Sequence, residues 1–158
     1  LLKKKYFSKG SAFEIDIKSR NLLKRNATIN GVSKKLSIFS DATFESLKKN
    51  LGKQDKKKML FLVDIEGYEF KMFNKEFCNY FCECHFIVED HNFNVLNNNI
   101  LSNFYKIINK NFHVEIIKDH SKKPFEITIL DKFSDDEKYL MMSEGRPKTM
   151  QWLVLTPK

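Results

Sequence analysis

Met59-Leu60-Phe61-Leu62-Val63-Asp64-Ile65-Glu66-Gly67-Tyr68-Glu69 runs from five uninterrupted apolar residues into three carboxylates set around a glycine. An apolar run without polar alternation is what a parallel strand covered on both faces requires. In open α/β sheets, ligands collect at the carboxyl ends of such strands. Asp64, Glu66 and Glu69 therefore fall where chemistry is usually done. Acids are also favoured in the first turn of a helix, and that plainer reading is preferred for Glu69 but not for Asp64.

Working outward, strands and helices alternate. Toward the amino terminus, Leu1 to Lys9 reads as the end of a helix stopped by Gly10, and Ser11 to Asp16 as a short acid-ended strand. Ser19 to Ile29 carries Leu22, Leu23, Ala27 and Ile29 at helical spacing, with Asn30-Gly31 as a left-handed stop. Leu36 to Phe39 is a strand, and Ser40-Asp41-Ala42 leads into a helix with Phe44, Leu47 and Leu51 on one face, closed by Gly52. Lys53 to Lys58 is a solvated charged link. Beyond the central strand, Tyr68, Met72 and Phe73 begin a helix, and Phe86-Ile87-Val88 forms a strand ending in Glu89-Asp90-His91. Ile100, Leu101, Phe104, Ile107 and Ile108 make an amphipathic helix, followed by a strand at Val114 to Ile117. In the tail Ile127 and Ile129 alternate, Asp135 to Met142 reads as helix, and Trp152 to Leu155 forms a last strand, antiparallel at or near one edge. This alternation specifies a doubly wound α/β sheet.

At 158 residues and 42% hydrophobic composition, a single domain over 1–158 is expected. No apolar stretch is long enough for a bilayer span or a signal peptide, so no membrane association and a cytoplasmic location are expected. The net charge is +8, but only Arg20, Arg25 and Arg146 of the 28 cations are arginine, the residue on which base readers and phosphate clamps lean. The lysine runs at 3–5, 56–58 and 122–123 form no stripe, so nucleic-acid binding is not expected from charge. Cys78, Cys82, Cys84 and His85 are too crowded for four zinc ligands without the backbone doubling back. They read as reduced thiols, and no metal ligands are assigned, the sequence being silent on a divalent metal near Asp64 and Glu89.

The ordered strings FEID (13–16), NATINGV (26–32), SDA (40–42), LVDIEGYE (62–69) and IVEDH (87–91) resemble the FkbM-type methyltransferases that use S-adenosylmethionine. The resemblance implies a Rossmann-like class I methyltransferase sheet, mostly parallel with an antiparallel carboxyl-terminal strand. It also implies S-adenosylmethionine as cofactor and a small-molecule or saccharide hydroxyl as methyl acceptor. Glu14 is then placed to take the ribose hydroxyls, since a carboxylate is an acceptor with two oxygens; Asp16, two residues on, takes the ribose or caps the next helix. Asp41 accepts from the adenine amino group with the Ala42 amide nearby, or is the N-cap of the Phe44 helix. Asp64 lies beside the methionine part of the cofactor and the acceptor. Glu66 is an acceptor-side group or a first-turn acid, and Gly67 allows close backbone approach or a tight turn. Glu89 and His91 end the next strand and face the same cleft. His91 is the leading candidate for the base that removes the acceptor's proton, against the alternative of a merely exposed loop histidine. His85, His113 and His120 have no such placement. The tail SEGRPKTMQWLVLTPK (143–158) is also similar to the family: Arg146 pairs with an acidic or sugar acceptor or is neutralised by Glu144, and Trp152 is a core residue.

One departure stands out. The glycines at 10, 31, 52, 67 and 145 never approach G-x-G spacing, so the glycine-rich turn and first strand, about 30 residues by analogy with a βαβ unit, are missing. In the implied topology that strand lies between those carrying Glu14 and Asp64. Its loss leaves two unpaired interior edges, at about 1–3 kcal/mol for each buried unsatisfied group. The expectation is a chain truncated at its amino terminus, poorly stable and inactive on its own. The competing function is a noncatalytic α/β module without the cofactor loop, binding a protein or RNA partner through its lysines. A nicotinamide-dependent oxidoreductase ranks below both, because its fingerprint glycines are equally absent.

Overall fold

The computed structural model describes residues 1–92, 95, 97–118, 123–142 and 150–158. The chain forms two compact units, Leu1–Gln54 and Asp55–Lys158.

In the first unit, β1 (Gly10–Phe13) pairs in parallel with β2 (Leu36–Phe39), Gly10 opposite Leu36 and Phe13 opposite Phe39. The two phenylalanine rings stack at 4.9 Å. α1 (Ile17–Ile29) makes the crossover. Its N-cap is Asp16, whose carboxylate accepts from the Ser19 amide at 2.6 Å, and it stops where Gly31 takes φ +66°, a conformation that costs glycine nothing. α2 (Phe44–Leu51) buries Leu47 and Leu51 and is capped by Thr43. The helix expected to end at Lys9 is not formed. Residues 2–5 make one turn, closed by Lys5 N to Leu2 O. Residues 1–6 are almost wholly exposed, so no buried face offsets the cost of helix nucleation.

In the second unit the order along the chain is β3 (Leu60–Val63), α3 (Glu69–Met72), α4 (Lys75–Tyr80), β4 (His85–Asp90), α5 (Asn98–Asn111), β5 (Phe112–Lys118), α6 (Asp135–Met142) and β6 (Gln151–Pro157). The sheet order is β3-β4-β6-β5. β3 and β4 are parallel, and β6 is antiparallel to both neighbours, one position in from the β5 edge, as expected for the final strand. The expected single helix from Tyr68 is broken in two, because Asn74 accepts from the Phe77 amide at 2.9 Å and starts α4 afresh. Ile127 and Ile129 do not alternate in a strand. They sit at 3₁₀ turns whose bonds, such as Leu130 N to Ile127 O, satisfy the backbone locally.

The core of this unit is aromatic. Phe73, Phe77, Phe81, Phe86, Phe104 and Phe112 are essentially fully buried, and Phe61 stacks on Phe86 at 4.8 Å while meeting Phe81 edge-on at 5.2 Å. These contacts seat α4 on the sheet face that carries Phe61 and Phe86. The opposite face of β3 is open: Leu60 is 38% and Leu62 65% exposed. Among the described residues the strand is therefore covered on one face, not both, because its aromatic partners all gather on the Phe61 side. The link before it is only partly solvated, since Lys56 donates to the Tyr80 carbonyl at 2.7 Å and lies 3.7 Å above the Tyr80 ring centroid. Among the described residues no helix is long and apolar enough to cross a membrane.

Candidate functional site

The register that pairs Val63 with Val88 brings the next residues, Asp64 and Glu89, to neighbouring strand ends. After Asp64 the chain reverses in a tight turn closed by Tyr68 N to Ile65 O at 3.1 Å. Both central residues have positive φ, Glu66 at 51° and Gly67 at 96°, as a type I′ turn demands. Glycine meets this requirement freely. Glu66 does not, and a held non-glycine left-handed residue of this kind costs about 1–3 kcal/mol and is characteristic of functional sites.

The turn aims its acids at one imidazole. Nε2 of His91 lies 3.3 Å from Glu66 Oε2 and 3.9 Å from Asp64 Oδ1. Nδ1 lies 3.1 Å from Glu69 Oε1, which also accepts from the His91 amide at 3.0 Å, while Glu69 Oε2 accepts from the Gly67 amide at 2.9 Å. A carboxylate only accepts, so Nδ1 carries a proton toward Glu69, while Nε2 faces Asp64 and Glu66. His91 and Glu69 are fully buried and Glu89 nearly so, whereas Asp64 and Glu66 are exposed. His91 is thus no exposed loop histidine. Glu69 does stand in the first turn of α3, but the reading of it as an ordinary helix-start acid is corrected: its carboxylate turns inward to fix the turn and the imidazole. Sequence spacing alone gave no sign of this, because the contact spans 22 residues; the only clue was a third acid following a turn glycine.

Asp90, the middle residue of the EDH string, has a separate task. Its Oδ2 accepts from Tyr105 Oη, Gln151 Nε2 and Asn92 Nδ2, tying α5 and β6 to the end of β4. Burial, and then the bond to Asp90, push the Tyr105 hydroxyl from 10.0 up to about 12. Because the folded value is the higher one, the stabilisation is complete below pH 10 and is lost as the pH rises toward 12. Tyr105→Phe should therefore flatten that part of the alkaline stability curve; a variant curve parallel to that of the parent between those pH values rules the contribution out.

In the first unit, Glu14 is the first residue past β1 and is half-buried. Its amide continues the ladder to Phe39 O, and its Oε1 accepts from Asp16 N at 2.8 Å. Among the described residues its Oε2 has no hydrogen-bond partner, so the group fits a ribose hydroxyl with one oxygen. Asp16 takes up its capping alternative. Asp41 fits a base less well. Its Oδ1 accepts from the Thr43 hydroxyl and amide and its Oδ2 from Ser40, bonds that hold its carboxyl below the usual range, the Thr43 hydroxyl first. It is not the N-cap of α2: Thr43 is, because the Asp41 carboxylate reaches the capping residue rather than the Ser46 amide. Half-buried Ala42 lies between them. A groove lined by Phe39, Ser40, Asp41, Thr43, Ser46 and Asn50 runs along this helix start.

Burial pushes the Cys78 and Cys84 thiols up to about 12, and His85 is exposed. Trp152 is half-buried in β6. Glu144, Arg146 and His120 lie outside the described residues.

Compared by sequence, the chain matches no family model and no curated protein. Compared by structure, it is similar to the crystal structure of a SAM-dependent O-methyltransferase from Thermotoga maritima. The TM-score is 0.50 at 12% identity, over 99% of this chain and 54% of that one. The chain thus spans about half the length of the solved structure it matches. The likeness is one of fold: a methyltransferase-like mixed α/β arrangement with parallel and antiparallel strands.

Proposed function

We propose that this protein is an S-adenosylmethionine-dependent O-methyltransferase of the FkbM type, acting on a hydroxyl of a small molecule or saccharide. The observation that carries the reading is the strand-end cluster, in which Asp64, Glu66 and Glu89 surround an imidazole that Glu69 holds in one orientation. The fold likeness supports it.

S-adenosylmethionine supplies an electrophilic methyl group. What the chain supplies is orientation and a place for a proton. In the first unit Glu14 offers its open oxygen to a ribose hydroxyl; in the second, Asp64 offers its carboxylate to an ammonium or to the acceptor hydroxyl. Nε2 of His91 accepts the hydroxyl proton, and the Glu69 carboxylate on Nδ1 stabilises the imidazolium that forms. Glu66, on the outer side of Nε2 and 77% exposed, swings aside on the fast timescale of surface side chains to admit the acceptor. Glu89 stands beside them on the neighbouring strand.

Calorimetric titration with S-adenosylmethionine tests the reading. Glu14→Ala should weaken donor binding by about tenfold, the loss of one or two hydrogen bonds to a sugar. Unchanged affinity removes Glu14 from the site. Absence of donor binding by the parent protein leaves the noncatalytic module as the better account.

A further inference from the structure

We infer that Asp64, Glu89 and His91 form a binding site for a divalent first-row transition cation such as Mn²⁺. One ligand atom from each residue lies within 4.8 Å of the others, with His91 Nε2 to Asp64 Oδ1 at 3.9 Å. Ligands bonded at 2.0–2.2 Å stand at most about 4.4 Å apart, so the three donors are already close to the spacing that one cation needs. One imidazole and two carboxylates suit such cations better than the all-oxygen shells of calcium, and three protein ligands leave open positions for a substrate oxygen.

A further feature points the same way. The imidazole is already fixed as a ligand should be, with Nδ1 on a buried carboxylate and Nε2 turned to the other donors; this carboxylate–histidine pairing is the usual outer support of a metal-bound histidine.

The site shares its groups with the methyl-transfer reading without depending on it. At Nε2 the two uses exclude each other: in the cation-loaded protein His91 is a ligand, and a hydroxyl bound to the cation is acidified directly.

Mn²⁺ titration of the full chain, followed by loss of the free-ion electron paramagnetic resonance signal, provides the test. One equivalent should bind. Asp64→Asn, at an exposed position that leaves the thermal melt unchanged, should weaken binding at least tenfold, and Glu69→Gln by about 10–100-fold through the imidazole's orientation. Cys82→Ser should bind as the parent does. No saturable binding at millimolar Mn²⁺, or Asp64→Asn and Glu89→Gln variants that both bind like the parent, overturns the site. Donor titration on the same samples separates the two readings: Mn²⁺ bound without donor binding sinks the methyltransferase and keeps the cation site, and the reverse result does the opposite.

Discussion

Phe77→Ala should lower the stability of the unit Asp55–Lys158 by about 3–5 kcal/mol, the range for truncating a fully buried aromatic side chain. Phe77 has no exposed surface. Its ring meets Phe81 at 5.0 Å, Phe73 at 5.1 Å, Phe86 at 5.9 Å and Phe61 at 6.5 Å, so it joins α3 and α4 to both β3 and β4. Well-formed aromatic pairs contribute about 0.5–1.5 kcal/mol each beyond area burial, and four neighbours cannot all move in to fill the void. Trp152 is the single tryptophan and lies in β6, paired with Glu89 of β4. Its fluorescence therefore reports this unit in a urea titration. A midpoint shift equivalent to less than about 1 kcal/mol would mean that the cluster relaxes around the loss and is not the organising core.

Glu69→Gln should reduce methyl transfer by about 10²–10³-fold, within the span general base catalysis supplies, while costing about 1–3 kcal/mol of stability. Glutamine fills the same space but retains one accepting oxygen where the carboxylate has two. The Gly67 amide, the His91 amide and His91 Nδ1 then compete for it. Glu69 acts through His91 and is a positioning residue, so a rate alone does not settle its role. The ¹⁵N shifts of the His91 ring do: in the parent they should report a proton on Nδ1, and in the variant a mixture of tautomers. A variant with unchanged ring shifts, or with the ring changed and the rate intact, rejects the chain of influence from Glu69 through His91 to the acceptor.

Element types were largely readable because they rest on local chemistry. α1, α2, α5 and α6 follow from apolar spacing, caps and the Asn30-Gly31 stop, and the described strands overlap the segments read as strands. The misreadings have a common physical origin. The lysine-rich start and the isoleucines at 127 and 129 have acceptable local patterns, but they lack a partner surface to make a helix or strand worth its entropy. The openness of the Leu60 and Leu62 face was likewise hidden, since an apolar run states what a strand tolerates and not what covers it.

The same division runs through the candidate site. Local sequence determined that acids stand at strand ends, that Gly67 permits a turn, and that Glu89 and His91 close a neighbouring strand. Tertiary structure decided which acid does what. Strand register set Asp64 beside Glu89, and a turn with two positive φ values swung Glu66 over Nε2. A contact across 22 residues buried Glu69 against the imidazole, while Asp41 turned to its own neighbours. Backbone preference acts over a few residues and is written in them; the pairing of distant charges depends on which surfaces exclude water together, and only the folded chain specifies that.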